Sequence, residues 1–585
     1  MRATILAAAA ASVLTLSPPA FAQTAAQALD QLFQDERAFT WREDPLSATG
    51  DGVHDYDNRL PSVTPSDFAR QAQQNQQFLT RLSAIDRATL SHQEQVSYDL
   101  FAFMVGQRVT LSRYNEWRLP MNSDSGFYSE ILQLHDGMSP RTVRDYENYI
   151  ARLNDVPRYF REHTANMRQG MREGFTLPAE IIGGVRDVIA GWRFEAPEST
   201  PFFHPFANYP DTLPVSERAR LTAAGRVAIT QSVIPAFQEF QTFFVNEYAP
   251  RARTSIAATR LPNGRAYYAD LVRYFTTLPD ATPQSIHRTG LAEVRRIRTE
   301  MEAIVREVGF QGSFSEFLTF LRTDPQFYPT SAEQLLNRAA WITREIDGHL
   351  PEYFGRLPRT PYTVEPVPEA FAPNYTAGRY NPGPLGAAGT YWVNTYALNT
   401  RSLYNLPALT AHEAAPGHHI QGALARELQG LPRFRLNFYP HAFGEGWGLY
   451  SERLAGEMGI YHTPYERFGQ LTYEMWRACR LVVDTGMHSM GWSRQRALDY
   501  LAANTALSTH EIRTEVDRYI GWPGQALAYK IGELKIMELR QRAQTALGDR
   551  FDIRAYHDAV LANGGVTLPV LEQEVDAYIA RARAQ

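Results

Sequence analysis

Apolar residues recur at helical spacing through most of this chain, and that periodicity restricts it to a mainly α-helical fold. Leu291, Val294, Ile297, Met301, Ile304 and Val305 share one helical face, with arginines and glutamates between them. Ser91-His92-Gln93-Glu94 is a capping box ahead of Val96, Tyr98, Leu100 and Phe101. Similar amphipathic stretches lie near 141–170, 216–248 and 331–350, and prolines mostly punctuate the intervals. Strand patterns are few. Tyr362-Thr363-Val364 and the run from Gly389 to Thr395 are the best two, and residues 357–388, with many Pro and Gly, read as a long irregular connection. The expectation is a helical protein with a small sheet just before residue 400.

Residues 1–22 read as a secretory leader. Arg2 supplies the positive end, Ile5 to Leu16 a short apolar stretch, and Ala20-Phe21-Ala22 a small-x-small cleavage pattern, so the mature chain would start at Gln23. The apolar run falls short of the roughly 20 residues that span a bilayer. No cysteine follows it, which excludes a lipid anchor. The expected destination is the periplasm or the outside. The remaining length exceeds what one core usually serves. The expected division is an N-terminal helical lobe over 23–265 and a C-terminal catalytic lobe over 266–585, parted near the Pro-Asn-Gly turn at 262–264.

With 58 basic and 63 acidic residues, the net charge is −5. A dedicated nucleic-acid binder usually carries the opposite excess. The single cysteine, Cys479, can form neither an internal disulfide nor a thiolate zinc cluster, so any metal must be held by His and carboxylates. All basic residues are arginines except Lys530 and Lys535.

His and Glu gather in Ala411-His412-Glu413-Ala414-Ala415-Pro416-Gly417-His418-His419-Ile420-Gln421. In a zinc-peptidase helix two histidines four apart face one metal, and the glutamate after the first serves as general base toward water. Here the spacing is six or seven. In an ideal helix residue 418 would lie about 240° around from 412, and 419 about 10 Å along the axis. Pro416 removes a backbone donor and collides with the carbonyl of His412, so the helix must bend or bulge. Gly417 permits unusual backbone. Either His418 or His419 could then return beside His412. Glu445 and Glu452, seven apart in Glu445-Gly-Trp-Gly-Leu-Tyr-Ser-Glu452, offer a third ligand on one helical face. Farther on, Arg480, Asp484 and His488 recur at i, i+4 and i+8. They form either a surface ion ladder or, given their apolar neighbours, the polar lining of a cleft.

His412-Glu-Ala-Ala-Pro-Gly-His-His419 and Glu445-to-Glu452, with Arg480-to-His488, Pro523-to-Gly532 and Phe551-to-Asp558, resemble the bacterial domain-of-unknown-function family 885 across most of the chain. That family is similar to the helical gluzincin metallopeptidases. The resemblance implies a two-lobed helical fold around a deep cleft and one Zn2+ ion. The ion would be held by His412, by His418 or His419, and by Glu445, with Glu452 orienting a ligand. It implies Glu413 as base, Tyr529 and His488 as oxyanion donors, and Arg480, Asp484, Tyr519 and Lys530 as supporting or substrate-facing residues. The strand from Tyr391 to Thr395 would either hold an extended peptide as an edge strand or be a core strand instead. The expected function is hydrolysis of short peptides by a secreted zinc peptidase. The alternatives are zinc hydrolysis of non-peptide amides or esters, and a metal-free peptide-binding relative.

Overall fold

The computed structural model describes residues 24–584, apart from 124, 370–371, 384–385 and 437. The leader and its cleavage motif lie outside the described residues. The chain is mainly α-helical with one three-stranded sheet, as its periodicity predicts. Among the described residues no helix is long and apolar enough to cross a membrane.

Seven helices build the region of interest: α1 (Pro283–Glu307), α2 (Leu406–Glu413), α3 (His418–Arg426), α4 (His441–Glu457), α5 (Pro464–Ser489), α6 (Thr509–Gly521) and α7 (Ala528–Leu547). Their boundaries follow local chemistry. Thr282 caps α1 and Thr463 caps α5, each accepting from the third backbone N–H of its helix, with a proline opening the first turn. The capping box at Ser91 and Glu94 forms as expected. Prolines are not always punctuation, however. Pro157 lies inside the helix Val143–Glu173 and Pro351 inside Ala332–Tyr353.

The face predicted on α1 is the buried one: Val294, Ile297, Met301, Ile304 and Val305 are interior, with Leu291 at its margin. It packs along α5, where Gly290 lets the helices approach; a Cβ there would lie 2.7 Å from the Leu481 Cβ. Helix α5 is unusual in being buried on every side from Leu471 to His488. A polar row inside such a helix must find partners within the protein. Helices α4 and α7 touch backbone to backbone. A Cβ at Gly532 would stand 1.7 Å from the Ala442 carbonyl oxygen, and one at Gly446 would meet the Gly532 Cα at 2.5 Å. Two glycines thus set Tyr529 of α7 beside Glu445 of α4. One apolar core runs from Leu29 to Ile579 and takes residues from both sides of position 265.

The sheet comprises β1 (Tyr362–Pro366), β2 (Gly378–Asn381) and β3 (Gly389–Val393), in the order β1-β3-β2. β1 runs parallel to β3 with Tyr362 opposite Gly389, and β2 runs antiparallel with Tyr380 opposite Tyr391. Of the two readings of the strand at Tyr391, edge or core, the second holds: β3 is central, and the edge beside α2 is β2. β2 falls inside the stretch read as irregular. Gly378-Arg-Tyr-Asn lacks a β-branched run, so pairing with β3 makes it a strand where propensity does not.

Candidate metal centre

The break between α2 and α3 resolves the odd histidine spacing. α2 stops at Glu413, α3 starts at His418, and the intervening Ala-Ala-Pro-Gly belongs to neither. Rather than bulging within one helix, the backbone interrupts it. Gly417 makes the interruption possible, because a Cβ there would lie 1.9 Å from the His412 carbonyl oxygen. The indole N–H of Trp447 donates to the Pro416 carbonyl at 2.9 Å and pins the turn to α4. As a result the His412 and His418 rings stand 4.8 Å apart, centroid to centroid, and perpendicular.

Glu445 completes the group from α4. Its Oε2 lies 3.7 Å from His412 Nε2 and 3.5 Å from His418 Nε2. One donor atom from each residue fits within a span of 4.8 Å. Tetrahedral zinc with Zn–N and Zn–O bonds near 2.0–2.1 Å holds its donors about 3.3 Å apart; the two glutamate–histidine separations come within a few tenths of an ångström of that, and the histidine pair lies within 4.8 Å. The three-ligand count leaves a fourth position open.

The surroundings prepare these donors. His412 Nδ1 lies 2.8 Å from Glu452 Oε1, and both residues are buried. Donation of Nδ1–H to that carboxylate fixes the tautomer that turns the Nε2 lone pair toward Glu445. Arg477 Nη2, at 3.2 Å from the same Glu452 oxygen, balances its charge. Gly448 leaves room for the ring, since a Cβ there would come within 2.6 Å of His412 Cε1. Burial pulls the His412 imidazole down, yet Glu445, Glu452 and Glu413 together hold it up to about 10. Burial likewise pushes Glu445 up, and His412 and His418 outweigh it, keeping the carboxyl well below its usual range. Carboxylates so placed demand a positive charge among them, and a divalent cation satisfies that demand as well as the donor geometry.

Glu413, next to the first ligand, accepts from the Tyr380 backbone N–H of β2 at 2.8 Å. The edge strand therefore orients the residue expected to act as base. Tyr529 also borders the group, its ring 6.4 Å from that of His412 and nearly parallel to it. Burial and the Glu445 carboxylate raise the phenol's proton affinity. Arg518, whose Nη2 donates to the Tyr529 oxygen at 3.3 Å, and Arg480, 4.2 Å from the ring centroid, outweigh them and leave it below the ordinary tyrosine value. The Tyr439 hydroxyl donates to Glu445 Oε1 at 3.3 Å while 46% of the residue is exposed, so solvent reaches the group there.

Other expected residues lie elsewhere. His419 faces away from Glu445: its Nδ1 pairs with the Tyr380 hydroxyl at 3.0 Å and its ring lies 4.3 Å from Tyr362, because it starts the opposite face of α3. His488 is no oxyanion donor. Its Nδ1 accepts from the Ala258 N–H at 3.0 Å and its Nε2 donates to the Tyr519 carbonyl at 2.9 Å, which occupies both nitrogens. Asp484 accepts from the Tyr268 hydroxyl and the Gly524 N–H, tying α5 to the turn before α7. Arg480 pairs with Glu515 and donates to the Tyr519 oxygen, which also accepts from Trp476. These three side chains of α5 and Tyr519 form interior bracing, not an exposed polar lining. Lys530 is fully buried among Glu293, Glu474 and Glu533 at 2.8–3.1 Å, so it neutralises an internal acidic cluster instead of meeting substrate.

Sequence reasoning missed Tyr380, Arg379, Tyr439 and Arg518. None stands in a metal-ligand pattern. The only available signal was indirect: glycines at 444, 446 and 448 mark α4 as a helix approached closely on several sides. Gly417→Ala is expected to be disproportionately harmful for one methyl group. Overpacking usually costs about 1–3 kcal/mol. Here the clash is with backbone, so thermal denaturation should shift by at least that much and zinc binding should weaken with it. Unchanged melting and zinc content would show that the turn can adjust and is not set by this contact.

The profile of a family described as "bacterial protein of unknown function (DUF885)" matches residues 45–575. No curated protein matches the chain. The crystal structure of a putative lipoprotein from Colwellia psychrerythraea is similar with a TM-score of 0.88 and 26% identity, covering 96% of this chain and 100% of that one. A putative lipoprotein of unknown function from Shewanella oneidensis has a TM-score of 0.74 at 17% identity over 94% and 99% of the two chains, a likeness of fold.

Proposed function

The chain belongs to the bacterial family of unknown function DUF885, and we propose that it is an exported zinc-dependent peptidase acting on short peptides. The observation that carries this reading is the convergence of His412, His418 and Glu445, with Glu413 beside them and Glu452 behind His412. Export is supported by the N-terminal leader pattern and by the lipoprotein descriptions of the two similar structures. The single cysteine here is buried in α5 and offers no lipid attachment.

Zinc, when bound, supplies Lewis acidity and lowers the pKa of water. The chain's own residues supply the rest. Glu413, held by the Tyr380 N–H, takes the proton of the attacking water and is placed to return it to the leaving amine. Tyr529, made more acidic by Arg518 and Arg480, donates to the oxygen on which charge develops; one such donor is typically worth about 3 kcal/mol. Glu452 keeps His412 in one tautomer throughout. The outer edge of β2, whose Tyr380 N–H already meets Glu413, would place an extended peptide beside that carboxylate where further backbone groups of the strand pair with it.

The test is digestion of a peptide library by the mature protein, by chelator-treated protein, and by treated protein given back one equivalent of zinc. Cleavage lost on chelation and restored by zinc is expected. Cleavage indifferent to chelation would end the metal reading. Turnover of non-peptide amides or esters alone would move the assignment to that class of zinc hydrolase.

A further inference from the structure

Positive charge is in excess on the Tyr529 side of the site. Arg480 stacks on the Tyr529 ring and Arg518 donates to its oxygen. Glu515 is the one carboxylate among the described residues within ion-pair distance of either, at 2.8 Å from Arg480 and 3.5 Å from Arg518, so two guanidiniums share one negative charge. Arg480 is 1% exposed, and its Nη1 has no hydrogen-bond partner. Arg379 adds a third guanidinium. It immediately precedes Tyr380 on β2, is exposed, stacks loosely on Tyr375 at 5.5 Å, and forms no ion pair among the described residues. The adjoining Tyr380 donates its backbone N–H to Glu413 at 2.8 Å, so Arg379 stands on the strand that borders the metal group, and Glu413, Tyr529 and Arg518 all act on its charge. Guanidinium groups with spare donors match the planar, doubly accepting carboxylate.

Beside Arg518 the wall is aromatic. Its guanidinium lies 5.8 Å from the Trp522 ring centroid, Trp522 is 6.0 Å from His441, and His441 is 5.5 Å from the exposed Tyr439. A carboxylate and a large apolar side chain on one substrate residue would meet the arginines and this wall together. An internal aspartate or glutamate cannot offer both, whereas the last residue of a peptide can.

We propose that Arg379 and Arg518 bind the free C-terminal carboxylate of a short peptide, with the last side chain against Trp522, so that the bond cleaved lies close to that end. The inference rests on the peptidase reading for what is hydrolysed, but the carboxylate contact is measurable without hydrolysis. Metal-free mature protein would be titrated calorimetrically with N-acetyl-Ala-Phe, with its C-terminal amide, and with N-acetyl-Glu-Phe-amide, whose carboxylate is on a side chain. Removing the metal prevents a carboxylate from scoring by coordination. At least tenfold tighter binding of the free acid than of either amide is expected. Arg379→Gln should remove most of that preference while leaving amide binding unchanged, Arg518→Gln should also remove most of it, and Arg379→Lys should retain part of it. Arg379 is exposed and forms no ion pair among the described residues, so its variants should fold even if Arg518→Gln does not. Equal binding of acid and amide by the wild type would overturn the proposal. So would equal binding of the side-chain carboxylate, or a preference untouched in Arg379→Gln. If the preference is present but the zinc-loaded protein cleaves no peptide, the peptidase reading fails and the carboxylate site stands.

Discussion

Replacing Glu413 with glutamine is expected to slow peptide hydrolysis by about 10²- to 10⁴-fold, the usual worth of a positioned general base, without removing the metal. The substitution is nearly isosteric. The side chain keeps an oxygen that can accept from the Tyr380 N–H, as Oε2 does at 2.8 Å. It loses only the ability to take a proton. Glu413 is not among the three convergent ligands, so zinc content should stay near one equivalent and the melting temperature should barely move. The measurement is library digestion with mass-spectrometric readout, beside zinc analysis of the same samples. Equal cleavage by wild type and variant would remove Glu413 from the chemistry. A parallel loss of zinc would mean that Glu413 ligates.

The second large effect separates the three histidines. His412→Ala and His418→Ala are each expected to leave less than about one-tenth of an equivalent of zinc after reconstitution, since removing one of three protein ligands dismantles a site of this kind. His419→Ala should retain zinc nearly fully. Its ring bonds to Tyr380 and packs on Tyr362, so its loss should appear as reduced stability of the sheet against α3. Glu452→Gln belongs with these variants as an intermediate case. Orienting partners of a ligand typically tune affinity by about 10- to 100-fold. Retention of zinc by His418→Ala with its loss from His419→Ala would reverse the assignment.

Much of the fold could be read from the chain directly. Helix faces such as Val294-Ile297-Met301 follow from a 3.6-residue period, and the caps at Ser91, Thr282 and Thr463 from local hydrogen bonding, so both are properties of short segments. Strand β2 was hidden because its stability resides in pairing with β3, a partner ten or so residues away with no mark in its own composition. The candidate metal residues were legible as types: with one cysteine, any metal falls to His and Glu, and His412, Glu413, Glu445 and Glu452 stand out by spacing. The choice between His418 and His419 was not, because it depends on the backbone path through Pro416 and Gly417. The roles of Asp484, His488 and Lys530 were misjudged for one common reason. A buried charged or polar row and a site-lining one have the same pattern along a helix, and only neighbouring elements tell them apart.

By itself, then, the sequence determined a mainly helical protein, a set of candidate metal donors limited to imidazole and carboxylate, and a departure from straight helix between the histidines. Tertiary structure decided the rest: which histidine meets His412 and Glu445, which strand edge steadies Glu413, and which arginines gather around Tyr529. Ligation and ion pairing act over a few ångströms between segments tens to hundreds of residues apart, and helix packing through Gly446, Gly532 and Gly417 sets those distances.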